Sequence, residues 1–129
     1  MRPIEFRVWL KERKDFIYVG YIDLVNKECS GLPYDIQEGE DEYLVSTEGL
    51  EQFTGVHDKD GTKIYVGDVL QEIAPRGNRY TVFSVEGGFA VNTFQDGDKS
   101  FYESLADKQT ANYIKTQCII IGNIHDTRR

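Results

Sequence analysis

Residues 4–10 alternate: Ile4, Phe6, Val8 and Leu10 point one way, Glu5, Arg7 and Trp9 the other, with Lys11 next. Period two over seven residues predicts a half-buried strand. Trp9 falls on the otherwise polar side, so that side needs a cover, from another chain or from segment 26–43 folding back. The charged run Lys11 to Asp15 reads as a solvated hairpin loop. Phe16 to Val25 is long, apolar and β-branched, and predicts the antiparallel partner strand, bent at Gly20. Ile17, Val19 and Tyr21 fall on one of its faces and Phe16, Tyr18 and Ile22 on the other, so this hairpin is apolar on both sides.

Residues 26–42 carry Gly31, Pro33, Gly39 and the acids Glu28, Asp35, Glu38, Glu40, Asp41 and Glu42, and read as a surface loop. Tyr43 to Val45 predicts a short strand, and Ser46-Thr47 a cap for a helical turn. The next stretch, FTGVHDKDGTKIYVGDVL from Phe53 to Leu70, organises the remainder. Two apolar runs flank Lys59-Asp60-Gly61. A two-residue loop would set Val56 against Tyr65; a three-residue loop sets Val56 against Ile64 and Thr54 against Val66. The second pairs β-branched residues and is preferred, with Gly61 in positive φ. Gly67, beside Asp68 and inside an extended run, marks a bulge or sharp bend.

Strands are expected near 62–73, 79–86, 88–95 and 117–124. For Tyr80 to Phe94 a three-residue loop, Glu86-Gly87-Gly88, would pair Phe83 with Val91 and give Gly88 positive φ. Ser104 to Thr116 has the composition of one short helix. Cys118 to Ile121 is continuously apolar and reads as an interior strand. The expected fold is mainly β, a single small domain: a strongly bent antiparallel sheet or SH3-like barrel, with an N-terminal hairpin (1–25), an acidic connector (26–47) and a barrel-like portion (48–129).

The block at Phe53 to Leu70 resembles the signature of the YopX family of phage and prophage proteins, through Phe53, Thr54, Gly55, Asp58, Gly61, Ile64, Tyr65, Gly67 and Asp68. The opening Phe6-Arg7-Val8-Trp9 and the closing Ile121-Gly122-Asn123-Ile124 are similar to the family's two ends, with His125 where an aromatic is usual. The likeness implies a small, mostly β protein of a phage or prophage, and no particular activity.

Composition narrows the function classes. At 129 residues the chain has the size of one domain and can bury roughly two-thirds of its unfolded surface. Its 15 basic and 22 acidic residues give a formal charge of −7, which opposes direct nucleic-acid binding but allows mimicry of nucleic acid by the acidic patch at Glu38 to Glu42. No apolar run suits a membrane span or a signal peptide, so a cytoplasmic protein of the bacterial host is expected, with Cys29 and Cys118 as free core thiols.

The search for chemistry predicts no catalytic residue, cofactor or metal. Asp58 and Asp60 before Gly61 suggest a calcium loop, but Val56 and Gly67 occupy positions where that loop needs carboxylates. His57 and His125 have no zinc spacing to each other or to the cysteines. Three functions are therefore expected in order: a non-catalytic accessory protein working by protein contact or as a homo-oligomer, an acidic inhibitor mimicking nucleic acid, and a hydrolase without a recognisable motif. Trp9, Tyr18 and Tyr21 are the candidate interface; Gly61, Gly67, Asp68 and Gly88 are the structural turn residues.

Overall fold

Alternation at the amino terminus produces strand β1 (Phe6–Leu10), which turns at Lys14 (φ 54°) into the long strand β2 (Asp15–Asp23). The computed structural model describes residues 5–36, 38–74, 76–93 and 103–125. The described residues are mainly β, with two antiparallel sheets and one short helix, and the chain divides into two compact units, Met1–Gln52 and Phe53–Arg129.

In the first unit Val8 faces Ile17 and Trp9 faces Phe16 across the hairpin. Within the stretch 26–42, expected as an acidic surface loop, Glu28–Pro33 instead form strand β3, paired along β2; the expected short strand at Tyr43 follows as β4 (Tyr43–Ser46). Gly31 and Pro33 misled because they look like breakers. Pro33 sits at the strand's end, and Gly31 lies where the ladder brings backbone close to backbone. Gly20 does bend the chain, and the register slips there between Val19 and Tyr21. Val8, Leu10, Ile17 and Cys29 form the core of this unit, with Val19, Ile22 and Tyr43 packed around it. Ser46 caps a 3-10 turn at Thr47–Gly49, accepting from the Glu48 amide at 3.1 Å. Strand β5 (Glu51–His57) then begins, its first two residues paired with β1.

In the second unit the rest of β5 pairs with β6 (Lys63–Tyr65), and β7 (Asp68–Glu72), β8 (Arg79–Val85) and β9 (Gly88–Thr93) follow as a meander. After β10 (Glu103–Ser104) comes helix α1 (Lys108–Gln117), capped by the Asp107 carboxylate, which accepts from the Gln109 and Thr110 amides. Strand β11 (Cys118–Asn123) closes the order β10-β9-β8-β7-β11. Ile64, Leu70, Val82, Val91 and Ile114 pack into one core, and burying each stabilises by about 1.5–3 kcal/mol.

Two expectations about this unit need correction. Among the described residues the apolar strand β11 is at the sheet's end, paired with β7 alone, and not an interior strand. The β8–β9 loop has two residues, Glu86-Gly87, so Val85 faces Gly88 and Val82, not Phe83, faces Val91. Gly87 takes the positive φ (85°) that had been assigned to Gly88. Phe83 and Val91 are natural partners only where a single face is apolar, whereas Val82 and Phe83, on opposite faces, are both buried. Accordingly Gly87→Ala should lower stability by about 1 kcal/mol, while Gly88→Ala, whose added carbon meets nothing within 4 Å, should be near neutral in urea unfolding. Equal losses at the two positions would contradict the observed register.

Candidate functional site

The block at Phe53 to Leu70 folds as a hairpin whose polar side chains serve the backbone. Gly61 has φ 83°, and the Gly61 amide donates to Asp58 O at 3.0 Å, closing the three-residue loop as expected. His57 faces Lys63, but the register then shifts, and Phe53 faces Tyr65. Gly55, with φ 87°, lies in this irregular part. Thr54 therefore does not face Val66. Its hydroxyl donates to Ile64 O at 2.8 Å and accepts from the Val56 amide at 3.1 Å, replacing the interrupted ladder.

Asp58 is the centre of this arrangement. Its Oδ1 accepts from the Asp60 and Thr62 amides, both at 2.9 Å, and its Oδ2 accepts from the Ile120 amide at 3.0 Å. The Lys59 amide donates to Cys118 O at 2.9 Å. The turn thus fills backbone positions along β11, the edge strand that would otherwise stand open. Asp68 acts similarly at the second bend, its Oδ2 accepting from the Tyr65 amide at 2.8 Å, while Gly67 (φ 95°) donates to Val82 O and accepts from the Ile124 amide. Both carboxylates are buried. Carboxylates held by backbone amides are turn and cap groups, with oxygen lone pairs already directed at N–H donors.

A second polar cluster joins β7 to α1. The Tyr113 hydroxyl donates to Glu72 Oε2, and Glu72 Oε1 accepts from the Arg76 amide at 3.3 Å. Tyr80 and Tyr113 oxygens are 3.2 Å apart. Because the single Tyr113 proton goes to Glu72, Tyr80 is the donor in that contact. The tyrosine bond holds the Glu72 carboxyl below its usual range. Burial, then the bond to Glu72, pushes the Tyr113 phenol well above its own. Burial, with the Glu72 charge added, raises the Cys118 thiol to about 11, and burial raises Cys29 too. Both thiols are therefore protonated near neutral pH and poor nucleophiles.

This cluster makes a prediction about pH. Glu72 is depressed, so its contribution to stability is complete above its ordinary 4.5 and lost as pH falls through the lowered value. Tyr113 is raised, so its contribution is complete below 10.0 and lost as pH rises beyond it. Tyr113→Phe should lower the urea midpoint at neutral pH and flatten both the acid and the alkaline limbs. Limbs as steep as those of the wild type would show that the Tyr113–Glu72 bond is not what couples folding to pH.

The first unit places the aromatic candidates. Trp9 stacks edge-on against Phe16, centroids 4.9 Å apart, and is partly buried. Arg7 lies over the Phe16 ring at 3.8 Å and pairs with Glu51 at 3.0 Å, both charges being buried. Tyr18 and Tyr21 remain exposed, Tyr21 by 63%. His57 and His125 are both exposed, and His57 packs edge-on against Phe53. Among the described residues no three His, Cys, Asp or Glu are grouped to hold a metal ion. Sequence spacing gave no hint of the Asp58 bond to Ile120, 62 residues away, or of Glu72 meeting Tyr113.

Comparison with known proteins supplies the family. The pattern of the family described as YopX protein matches residues 5–129, essentially the whole chain. The chain belongs to the YopX family. No curated protein matches it. Protein EF1440 from Enterococcus faecalis, known from a crystal structure, has a similar fold: TM-score 0.60 at 23% identity, covering 97% of this chain and 95% of that one. In this YopX chain the signature residues Thr54, Gly55, Asp58, Gly61, Gly67 and Asp68 all shape turns or bulges.

Proposed function

We propose that the chain is a non-catalytic accessory protein of a phage or prophage that works in the bacterial cytoplasm through protein contacts, self-association among them. The observation that carries this reading is the turn between β2 and β3. Leu24 is 82% and Val25 90% exposed, yet the turn is firmly built. Asp23 Oδ1 accepts from the Val25 and Asn26 amides at 3.0 and 3.1 Å, and Oδ2 from the Asn26 side chain at 2.8 Å. Adjacent aliphatic side chains held outward by an ordered turn, with exposed Tyr21 close in sequence, favour a contact surface over a frayed loop.

Light scattering and capture from host lysate test it. An oligomer or a specific complex, lost in the Leu24→Asp/Val25→Asp double variant, is the expected result. A monomer of 14.8 kDa with no captured partner would reject it. The second reading, mimicry of nucleic acid, is supported by the −7 charge and by exposed Glu38, Asp41 and Glu42. Glu40 weighs against it, being held by Arg13 at 3.3 Å and Tyr43 at 2.6 Å. A captured DNA-processing protein released by competing DNA would favour mimicry.

A further inference from the structure

Among the described residues, β4 has a strand beside it on one side only, β3. An open strand edge presents a row of N–H and C=O groups to any incoming strand. Such edges are commonly blunted by a charge, a proline or a bulge, and Tyr43-Leu44-Val45-Ser46 contains none of these. Leu44, 65% exposed, faces Ser30, which in turn faces Tyr21. One cross-strand row therefore runs from an exposed aliphatic side chain on the edge strand to an exposed aromatic one two strands in.

Charge selects the occupant. Glu38, Asp41 and Glu42 are exposed just before β4, whereas the Glu40 carboxylate is already matched by Arg13. At the other end Glu48 is exposed and Glu28 faces Ser46, and the Lys27 carbonyl accepts from the Thr47 amide at 3.0 Å. A second β4 added antiparallel would bring its own Asp41 and Glu42 toward Glu48, like charge against like. We infer that β4 accepts an extended segment of a different protein, apolar at alternate positions and ending in Lys or Arg beside Asp41 and Glu42. In an antiparallel ladder, the more stable of the two, that basic end is the segment's C-terminal one. This names the partner class within the protein-contact reading and rests on it.

The probe is the labelled peptide Val-Thr-Val-Thr-Val-Arg-Lys-Arg, titrated with the full chain and followed by fluorescence anisotropy. Its counterpart ends in Glu-Asp-Glu. Saturable binding of the basic peptide alone is expected. It should weaken about tenfold in the Asp41→Lys/Glu42→Lys variant, and similarly between about 0.1 and about 1 M salt, where the Debye length falls from ~10 to ~3 Å. Leu44→Asn, which keeps the charges, should weaken it too. Equal affinity for both peptides, unchanged affinity in the charge variant, or no binding at millimolar peptide would overturn the proposal. In that last case an oligomer or captured partner leaves the protein-contact reading standing on another surface, and a lone monomer removes both.

Discussion

Gly31→Ala, at a buried position of β3, should destabilise the protein by about 3–5 kcal/mol, a fall in Tm of roughly 10–20 °C. The cause is not φ, since Gly31 lies in ordinary extended strand. A β-carbon at this position would fall inside the van der Waals radius of Tyr18 O, with Tyr18 C at 2.8 Å and Val19 Cα at 3.0 Å. All three atoms are backbone of β2, so no side chain can rotate away and the β2–β3 ladder itself must separate. Gly20→Ala is the control, because its added carbon meets nothing within 4 Å. Thermal unfolding of the two variants checks the point. A Gly31→Ala protein melting within a few degrees of the wild type would mean that β3 does not lie where it is described.

Asp58→Ala should have the second largest effect, about 3–5 kcal/mol by urea unfolding. Three amide donors, those of Asp60, Thr62 and Ile120, lose a buried charged acceptor at once. Hydrogen bonds to charged groups contribute about 1.5–3 kcal/mol each and do not add fully, because water reaches the exposed turn at Asp60 more easily than the strand at Ile120. Asp58→Asn should fall between, since one amide oxygen can still accept from Asp60 and Thr62 while an NH2 group meets the Ile120 donor. A loss below about 1 kcal/mol in Asp58→Ala would be that of an exposed turn residue and would contradict the geometry.

Local rules made much of this fold legible. Period-two alternation in Ile4 to Leu10 specified β1, Asp60-Gly61 marked a hairpin turn while leaving two loop lengths open, and Gly20 and Gly67 marked real irregularities. Each of these signals sits within a few residues of its effect. The misses needed information from elsewhere in the chain. Gly31 reads as a breaker unless one knows that Tyr18 backbone lies against it. Phe83 and Val91 look like natural partners only if one face of the sheet is wet, and here Val82 and Phe83 are both buried. An apolar run such as Cys118 to Ile121 suggests an interior strand, but it can serve at an edge when a turn closes the open side, as Asp58 and Lys59 do. Trp9, an apolar residue on an otherwise polar side, implied a covered side, but that the cover hides the Arg7–Glu51 ion pair against the Phe16 ring is beyond what alternation alone can tell. For the candidate site the signature residues were recognisable, while their task was not, since Asp58 acts on an amide 62 residues away.

Whether the family signature builds the fold or reserves a carboxylate for chemistry is decided most directly at one amide. Hydrogen exchange at Ile120, in the wild type and in Asp58→Asn, reports the bond that joins the turn to β11. The amide of wild-type Ile120 should be protected nearly to the level of global unfolding. In Asp58→Asn it should exchange faster by far more than the amides of Leu70 and Val82, which follow global stability alone. Ile120 protection that moves only in step with those two would contradict the account and return Asp58 to the list of candidate functional groups.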